Sequence, residues 1–380
     1  MNVGFINKYG GLGGGEVALL DHARDAKQQG WRPWVALRGR GELSRRLDRE
    51  GIPYSLWPEI ATERYITHVA RQVLGQLRTG ITAIRRRTGV LWVYTLEDVL
   101  LGSWLLRACW RRVLYRAQGE VVASQAGGML SARTARLVLR ACHGIATTTL
   151  YERRHLVEEL GLPAERVRYI PLGIDCRRFS PGGGSGGDRP IQIGVFGRLI
   201  TFKGQHMLLE ALGTMRTEQP YCVMVVGDCS FGEPQYAARL REMCQRLGIG
   251  DRVQFLGFRD DVPDLMRQCH IIVSCSSHET FGLNVAEGMA CGVCAIASRT
   301  RGPSEIIDHG RTGLLFPPGD VAALQAALNT AMADAPLRAS LAKAGRRSIC
   351  ERYDADRSRA ELRQFTAEAG DEPRAEGNCR

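Results

Sequence analysis

The sequence predicts an α/β chain of two tandem, doubly wound, Rossmann-like domains whose parallel sheets face a central cleft. Three observations predict it. Short apolar runs alternate with segments of helical periodicity along most of the 380 residues, which is the signature of βαβ units. The alternation breaks once, at residues 181–190, where Pro181 to Pro190 enclose a run of glycines with the composition of a flexible linker. It then restarts at once with a second apolar strand series.

Residues 3–6 are predicted to form a buried first strand, followed by the glycine loop 10–15 and a helix over 16–30 that stops at Gly30. The next strand, 34–37, completes a βαβ unit and requires a parallel sheet. The alternation continues through strands at 145–148 and 167–170, so the first domain is set at 1–180 and the linker at 181–190. The second domain, 191–352, has predicted strands at 191–196, 222–226, 253–256, 271–273, 294–296 and 313–316, with helices between most of them. A helix over about 353–366 is expected to join the first domain, and the polar residues 367–380 to form a disordered tail. In sheets of this kind ligands bind beyond the carboxyl ends of the strands.

The formal net charge is +11, and it is lopsided. Residues 1–180 hold 28 Lys and Arg against 16 Asp and Glu, whereas the remainder holds 23 against 24. An acidic partner would be drawn to the first half, be it an anionic membrane, a phosphorylated acceptor or nucleic acid; the plainer alternative is an Arg-rich solvated face. A hydrophobic share of 44% and a charged share of 24% exclude a disordered chain. The 12 cysteines have no framework spacing. Cys291 and Cys294 form a C-x-x-C that runs into an apolar strand, and Cys269 and Cys275 flank another. They are expected to be small buried hydrophobes in a reducing cytosol, with no metal site. The chain opens directly on a strand, so no signal peptide is expected. Its longest apolar stretch, 99–110, is broken by Arg107 and is too short for a membrane span. The basic stretch 104–115, with Arg85, Arg86 and Arg87 nearby, fits either a helix packed on the sheet or one lying on an anionic membrane. The expected location is the cytoplasm, with the inner membrane face within reach.

Three segments after predicted strand ends carry the chemistry. In the first, Arg198 and Lys203 flank a strand-to-helix turn, where a bidentate guanidinium and a point-like ammonium could hold a diphosphate. In the second, Glu279 and Glu287 stand eight apart around a helix start near Phe281 or Gly282. Gly282 lets a ligand approach the backbone, and the first helical N–H groups favour an anion. The third, 301–317, reads as loop, short helix, tight turn and strand. Each segment alone also fits ordinary surface charges or connections.

In order and spacing, G-R-L…K-G, then S-x-x-E-x-F-G-x-x-x-x-E-G-M-A-x-G, then G-P-S-E-I-I…G-R-T-G-L-L-F-P-P-G-D resembles the retaining glycosyltransferases of family 4. The loop ending G-G-G-E-V-A-L-L-D-H-A and the stretch I-P-L-G-I-D…F at 170–179 are similar too. The likeness is close over about 190–320 and looser between 55 and 140. It implies the GT-B architecture and a nucleoside-diphosphate sugar as donor. It further implies that Arg198, Lys203 and Glu279 are catalytic, the two cations on the diphosphate and Glu279 on sugar hydroxyls. Phe281, Gly282 and Leu283 would contact sugar and phosphate through their amides, Glu287 the ribose, and Phe258 the base, while Gly13 and Gly14 would approach the diphosphate. On the acceptor side it implies Glu16 and Gln118, the latter where many relatives carry a His before a Gly. Tyr353 stands where an aromatic often opens the last helix.

The resemblance implies no cofactor and no metal for diphosphate binding, with a UDP-sugar expected ahead of a GDP-sugar. The expected acceptors are, in order, a cell-envelope or lipid-linked glycan, a small natural product and a phosphorylated cyclitol; nucleic acid is not expected. Two other classes compete with this reading. A dehydrogenase is disfavoured because Glu16 interrupts G-x-G-x-x-G and the second strand ends at Leu37-Arg38 with no acid for a ribose. A non-catalytic basic binding protein is the other alternative.

Overall fold

The structure is a computed structural model and describes residues 1–7, 13–57, 65–96, 99, 112–117, 132–182, 190–229 and 233–371. The chain divides into two compact units, Met1–Pro171 with Ser358–Arg380, and Leu172–Arg357.

Unit 1 is built on strands β1 (Asn2–Asn7), β2 (Arg32–Leu37), β3 (Tyr54–Leu56), β4 (Val90–Val93), β5 (Arg112–Ala117), β6 (Gly144–Thr147) and β7 (Val167–Tyr169). They pair in the order β3-β2-β1-β4-β5-β6-β7, and each pairing is parallel. Continuous apolar runs such as Val3 to Ile6 and Val90 to Val93 are what a sheet buried on both faces requires. One face carries a core of Trp34, Leu91, Val113 and Ile145; the other carries Phe5, Leu19, Trp92 and Leu114. Among its helices are α1 (Gly14–Gln28), α2 (Glu42–Glu50), α3 (Tyr65–Arg85), α4 (Ala132–Arg140) and α5 (Leu150–Arg154).

Two expectations are corrected in this unit. Residues 112–115, read as the end of a basic helix, lie in β5, where Val113, Leu114 and Tyr115 are all buried; residues 104–111 lie outside the described residues. The last helix, α13 (Ala355–Asp371), runs beyond 366, so 367–371 are helical rather than tail. The reason is packing: Leu362, Phe365 and Ala369 join the Phe5/Trp92 core. Trp92 Nε1 donates to the buried Thr366 Oγ1 across 3.1 Å, Arg363 bonds Asp25 across 2.6 Å, and Arg168 bonds Glu368 across 2.7 Å.

Unit 2 contains β8 (Ile191–Phe196), α6 (Gln205–Thr214), β9 (Tyr221–Val226), α7 (Pro234–Arg246), β10 (Val253–Gly257), α8 (Val262–Arg267), β11 (Ile271–Ser274), α9 (Leu283–Ala290), β12 (Cys294–Ser298), α10 (Arg301–Ile306), β13 (Leu314–Phe316), α11 (Val321–Ala333) and α12 (Ala335–Arg352). The strands pair in the order β10-β9-β8-β11-β12-β13, all parallel. The boundary falls at 171/172 rather than 180. Ile174 pairs with Asp354 in a parallel bridge, and the Arg267 guanidinium donates to the carbonyls of Ser180 and Arg178, both across 2.9 Å. Cys269, Cys275, Cys291 and Cys294 are all buried and unpaired, filling core positions.

Candidate active site

In unit 2 the chain winds from β8 through β9 to β10 on one side, then returns to lay β11 on the other side of β8. Strand order therefore reverses between β8 and β11, and the carboxyl ends of two diverging strands open a crevice there. The turns after these two strands bring the sequence-predicted residues together. After β8 come Gly197, the exposed Arg198 and a short 3-10 turn, Thr201–Lys203. After β11 come Ser276, Glu279 and Phe281. Lys203 Nζ meets Glu279 Oε2 at 2.5 Å, with both side chains mostly covered. Ser276 Oγ donates to the same oxygen across 3.2 Å.

The turn that carries Lys203 is fixed at both edges. Ser277 N donates to Phe202 O across 2.8 Å, and the Thr201 hydroxyl donates to Glu233. Phe281 turns its ring inward, edge-on to Tyr353 at 5.7 Å between centroids, so only its backbone remains for a ligand. Gly282 then takes φ +93° as the cap of α9, a backbone that strains any residue with a Cβ. The helix start is held to the first strand by Asn284, whose Nδ2 donates to Phe196 O across 2.5 Å. Leu283 follows directly at the first helical position, where N–H groups have no helical acceptor. Beneath this loop, a Cβ at Gly302 would lie 2.2 Å from Phe281 O, so α10 presses backbone to backbone under it.

Glu287 sits further along α9. Burial pushes its carboxyl up to about 7, with Arg178 pulling the other way. Phe258 follows the positive-φ Gly257 at the end of β10 and is 50% exposed. Among the described residues no group of three or more His, Cys, Asp or Glu could hold a metal ion.

The remaining predicted residues belong to unit 1. Gly13 caps α1 and Gly14 opens it. Glu16 is engaged locally: its carboxylate accepts from Gly13 N across 2.9 Å and from Asn7 Nδ2 across 3.2 Å. Gln118 lies outside the described residues, as do Trp104 and Trp110.

Unit 1 has its own reversal of strand order, between β1 and β4, and sequence reasoning missed the polar groups that gather there. His22 Nδ1 is 2.9 Å from the Tyr94 hydroxyl, its ring packed edge-on to Phe5 and Trp92, and its Nε2 has no partner among the described residues. Burial, then the charge of Arg116, drives its pKa down to about 3. Arg116, near the end of β5, is itself buried; burial lowers it to about 10. Its Nη2 reaches Pro171 O at 3.4 Å, while Nη1 has no partner among the described residues. Glu152 Oε2 accepts from Thr148 N and Oγ1, each across 2.9 Å. Burial nonetheless raises Glu152 to about 7. The available signal for Arg116 was an arginine inside the apolar strand V-L-Y-R-A, and Ser276 opens the S-x-x-E motif; Asn284 carried none.

Comparison with known proteins locates these features. Residues 185–348 match the model of the glycosyl transferases group 1. A D-inositol 3-phosphate glycosyltransferase of Corynebacterium jeikeium is 30% identical over 212 residues, covering 52% of this chain and 51% of that one. The chain thus spans about half the length of that relative. A GDP-mannose-dependent alpha-(1-6)-phosphatidylinositol monomannoside mannosyltransferase of Mycolicibacterium smegmatis is 28% identical over 269 residues, 65% of this chain and 68% of that one. Among solved structures, Anabaena HepE in complex with UDP superposes with a TM-score of 0.84 at 24% identity, covering 97% of this chain and 100% of that one. The fold is therefore GT-B, and the stretch that matches the group 1 glycosyl transferases is the one that holds Arg198, Lys203, Glu279 and Glu287.

Proposed function

We propose that the protein is a retaining glycosyltransferase of family 4 that moves a sugar from a UDP-sugar to an acceptor hydroxyl in cell-envelope or lipid-linked glycan synthesis. The observation that carries this reading is the meeting of Lys203 and Glu279 at the β8/β11 strand reversal, beside the amino end of α9. UDP is favoured over GDP because the likeness in fold to HepE, solved with UDP, covers nearly the whole chain.

The chemistry follows from charge. When the bond from the anomeric carbon to the diphosphate oxygen breaks, negative charge grows on the diphosphate and the sugar becomes oxocarbenium-like. Arg198, Lys203 and the first amides of α9 meet that negative charge with donors already in place. Glu279 holds sugar hydroxyls and, through its ion pair, the position of Lys203. Glu287 accepts from the ribose. Attack from the face the diphosphate leaves retains configuration, and the leaving oxygen takes the acceptor proton as the new C–O bond forms.

A second reading of the acceptor, a small anionic molecule such as a phosphorylated cyclitol, is favoured by Arg116, whose buried Nη1 lacks a partner among the described residues. The name of the Corynebacterium relative agrees with it. The test is thermal protection by a panel of UDP-, GDP- and ADP-sugars. A shift with one nucleotide that disappears in Glu287→Ala supports the donor site and identifies the base, since a ligand stabilises only the state that binds it. No shift with any of them in folded protein overturns the reading.

A further inference from the structure

Helix α3 is built inside out. Its inward face carries small and polar residues: Gln76, Thr79 and Ala83 are buried. Trp57 Nε1 donates to Thr79 Oγ1 across 3.1 Å, and a Cβ at Gly75 would meet the Trp57 ring at 2.2 Å. The aliphatic residues point the other way. Leu74, Leu77, Ile81 and Ile84 are 47%, 40%, 51% and 49% exposed. Their spacing of three, four and three places them in one stripe along the helix. A contiguous apolar stripe of this kind on a water-facing helix marks a contact surface.

Charge selects the partner. Helix α3 contains no Asp or Glu. Arg78 lies beside the stripe, and Arg85, Arg86 and Arg87 gather at its carboxyl end, all exposed. An aliphatic stripe bordered by arginines and free of acids is the pattern of a helix lying in the plane of a lipid surface, its apolar side at the headgroup boundary and its cations on phosphates. No described helix is long and apolar enough to cross a membrane, so contact through α3 is peripheral.

We propose that α3 docks unit 1 on an anionic membrane surface, with Leu74, Leu77, Ile81 and Ile84 inserted and Arg78, Arg85, Arg86 and Arg87 against lipid phosphates. Of the stretch 104–115 that the sequence offers for such contact, residues 112–115 lie in β5 and 104–111 lie outside the described residues. The assignment does not depend on the donor chemistry, because its assay contains no sugar nucleotide.

The experiment is co-sedimentation of the whole chain with vesicles of phosphatidylcholine and phosphatidylglycerol, against phosphatidylcholine alone, at low and high salt. Binding is expected only to the anionic vesicles and is expected to weaken with salt. Replacing Arg85, Arg86 and Arg87 together by Gln should lower partitioning about a hundredfold, from roughly fivefold per charge. Leu77→Ser with Ile81→Ser should lower it at least about tenfold through lost apolar burial. These positions are exposed, so unchanged circular dichroism and melting will certify the fold of each variant. Failure of the wild type to sediment with anionic vesicles overturns the proposal, as does equal binding by the variants. A Leu77→Ser/Ile81→Ser variant that dissociates a dimer in light scattering while vesicle binding stays unchanged would overturn it too, by assigning the stripe to a second copy of the chain.

Discussion

Replacing Lys203 with Met separates two roles that the Lys203–Glu279 pair could play. Met keeps the aliphatic stem and removes the ammonium, which lies 5.5 Å from the centre of the Phe202 ring and 2.5 Å from Glu279 Oε2. The side chains of the pair are only 17% and 14% exposed, so water screens little of their charge. A phosphate oxygen about 4 Å from such an ammonium would interact by about 4 kcal/mol at an effective dielectric constant of about 20, before desolvation takes part of it back. What survives in comparable sites is about 10²–10³ in kcat. Lys203→Met is therefore expected to lose about that much turnover, measured as UDP release from the best UDP-sugar. It should also weaken UDP itself in calorimetry, because the diphosphate is present in both. Glu279→Gln keeps the hydrogen bond from Ser276 and the shape of the loop. It should spare UDP affinity while lowering turnover, because the partner we propose for Glu279 is the sugar. A Lys203→Met variant within threefold of wild type in kcat, with unchanged UDP affinity, would refute the reasoning and leave Lys203 as a mere brace for Glu279.

Three further outcomes follow from the site and its supports. Glu287 is raised to about 7 by burial, so its carboxylate form, the better acceptor for a ribose, grows as pH rises through that value. UDP affinity should improve severalfold between about pH 6 and 8, and Glu287→Gln should flatten the profile in calorimetry. A Cβ at Gly302 would collide with the Phe281 carbonyl at 2.2 Å, so Gly302→Ala should displace the 279–282 loop at a strain of about 1–3 kcal/mol. Thermal protection by the sugar nucleotide should vanish while far-ultraviolet circular dichroism is retained. In unit 1, His22 is lowered to about 3 and Glu152 raised to about 7. His22 contributes stability that is present above about 6.5 and lost as pH falls through about 3. Glu152 contributes stability that is present below about 4.5 and lost as pH rises through about 7. Denaturant titrations should therefore show His22→Gln softening the acid limb and Glu152→Gln softening the fall between about pH 4.5 and 7, each by several kcal/mol at most.

The fold was readable because both sheets are parallel and doubly covered, which leaves long apolar runs such as Val3 to Ile6 and Ile191 to Phe196 that turn residues set apart. The site was readable where a local rule fixes a residue: Gly282 is needed for its positive φ, and Lys203 and Glu279 follow strand ends. Other features depend on partners far along the chain. Asn284 matters because it bonds the carbonyl of Phe196, a contact between helix α9 and strand β8 that no local spacing encodes. Residues 112–115 look amphipathic within their neighbourhood, yet they form a strand between β4 and β6, with Val113 and Tyr115 in the core on one face of the sheet and Leu114 in the core on the other. Helix α3 inverts the usual rule: Trp57 presses on Gly75 and bonds Thr79, Gln76 and Ala83 are buried on the same side, and the bulky aliphatics Leu74, Leu77, Ile81 and Ile84 face water.

The division of the chain has a consequence for its synthesis. Unit 2 is one unbroken stretch, Leu172–Arg357, whereas unit 1 needs both Met1–Pro171 and residues from Ser358 onward. Unit 2 can close its core as soon as residue 357 has left the ribosome. Unit 1, although made first, waits with Phe5 and Trp92 unsheltered until Leu362, Phe365, Thr366 and Ala369 arrive. The unit whose larger segment is made before unit 2 is thus the last to finish folding, reversing the usual order in which domains mature from the amino end.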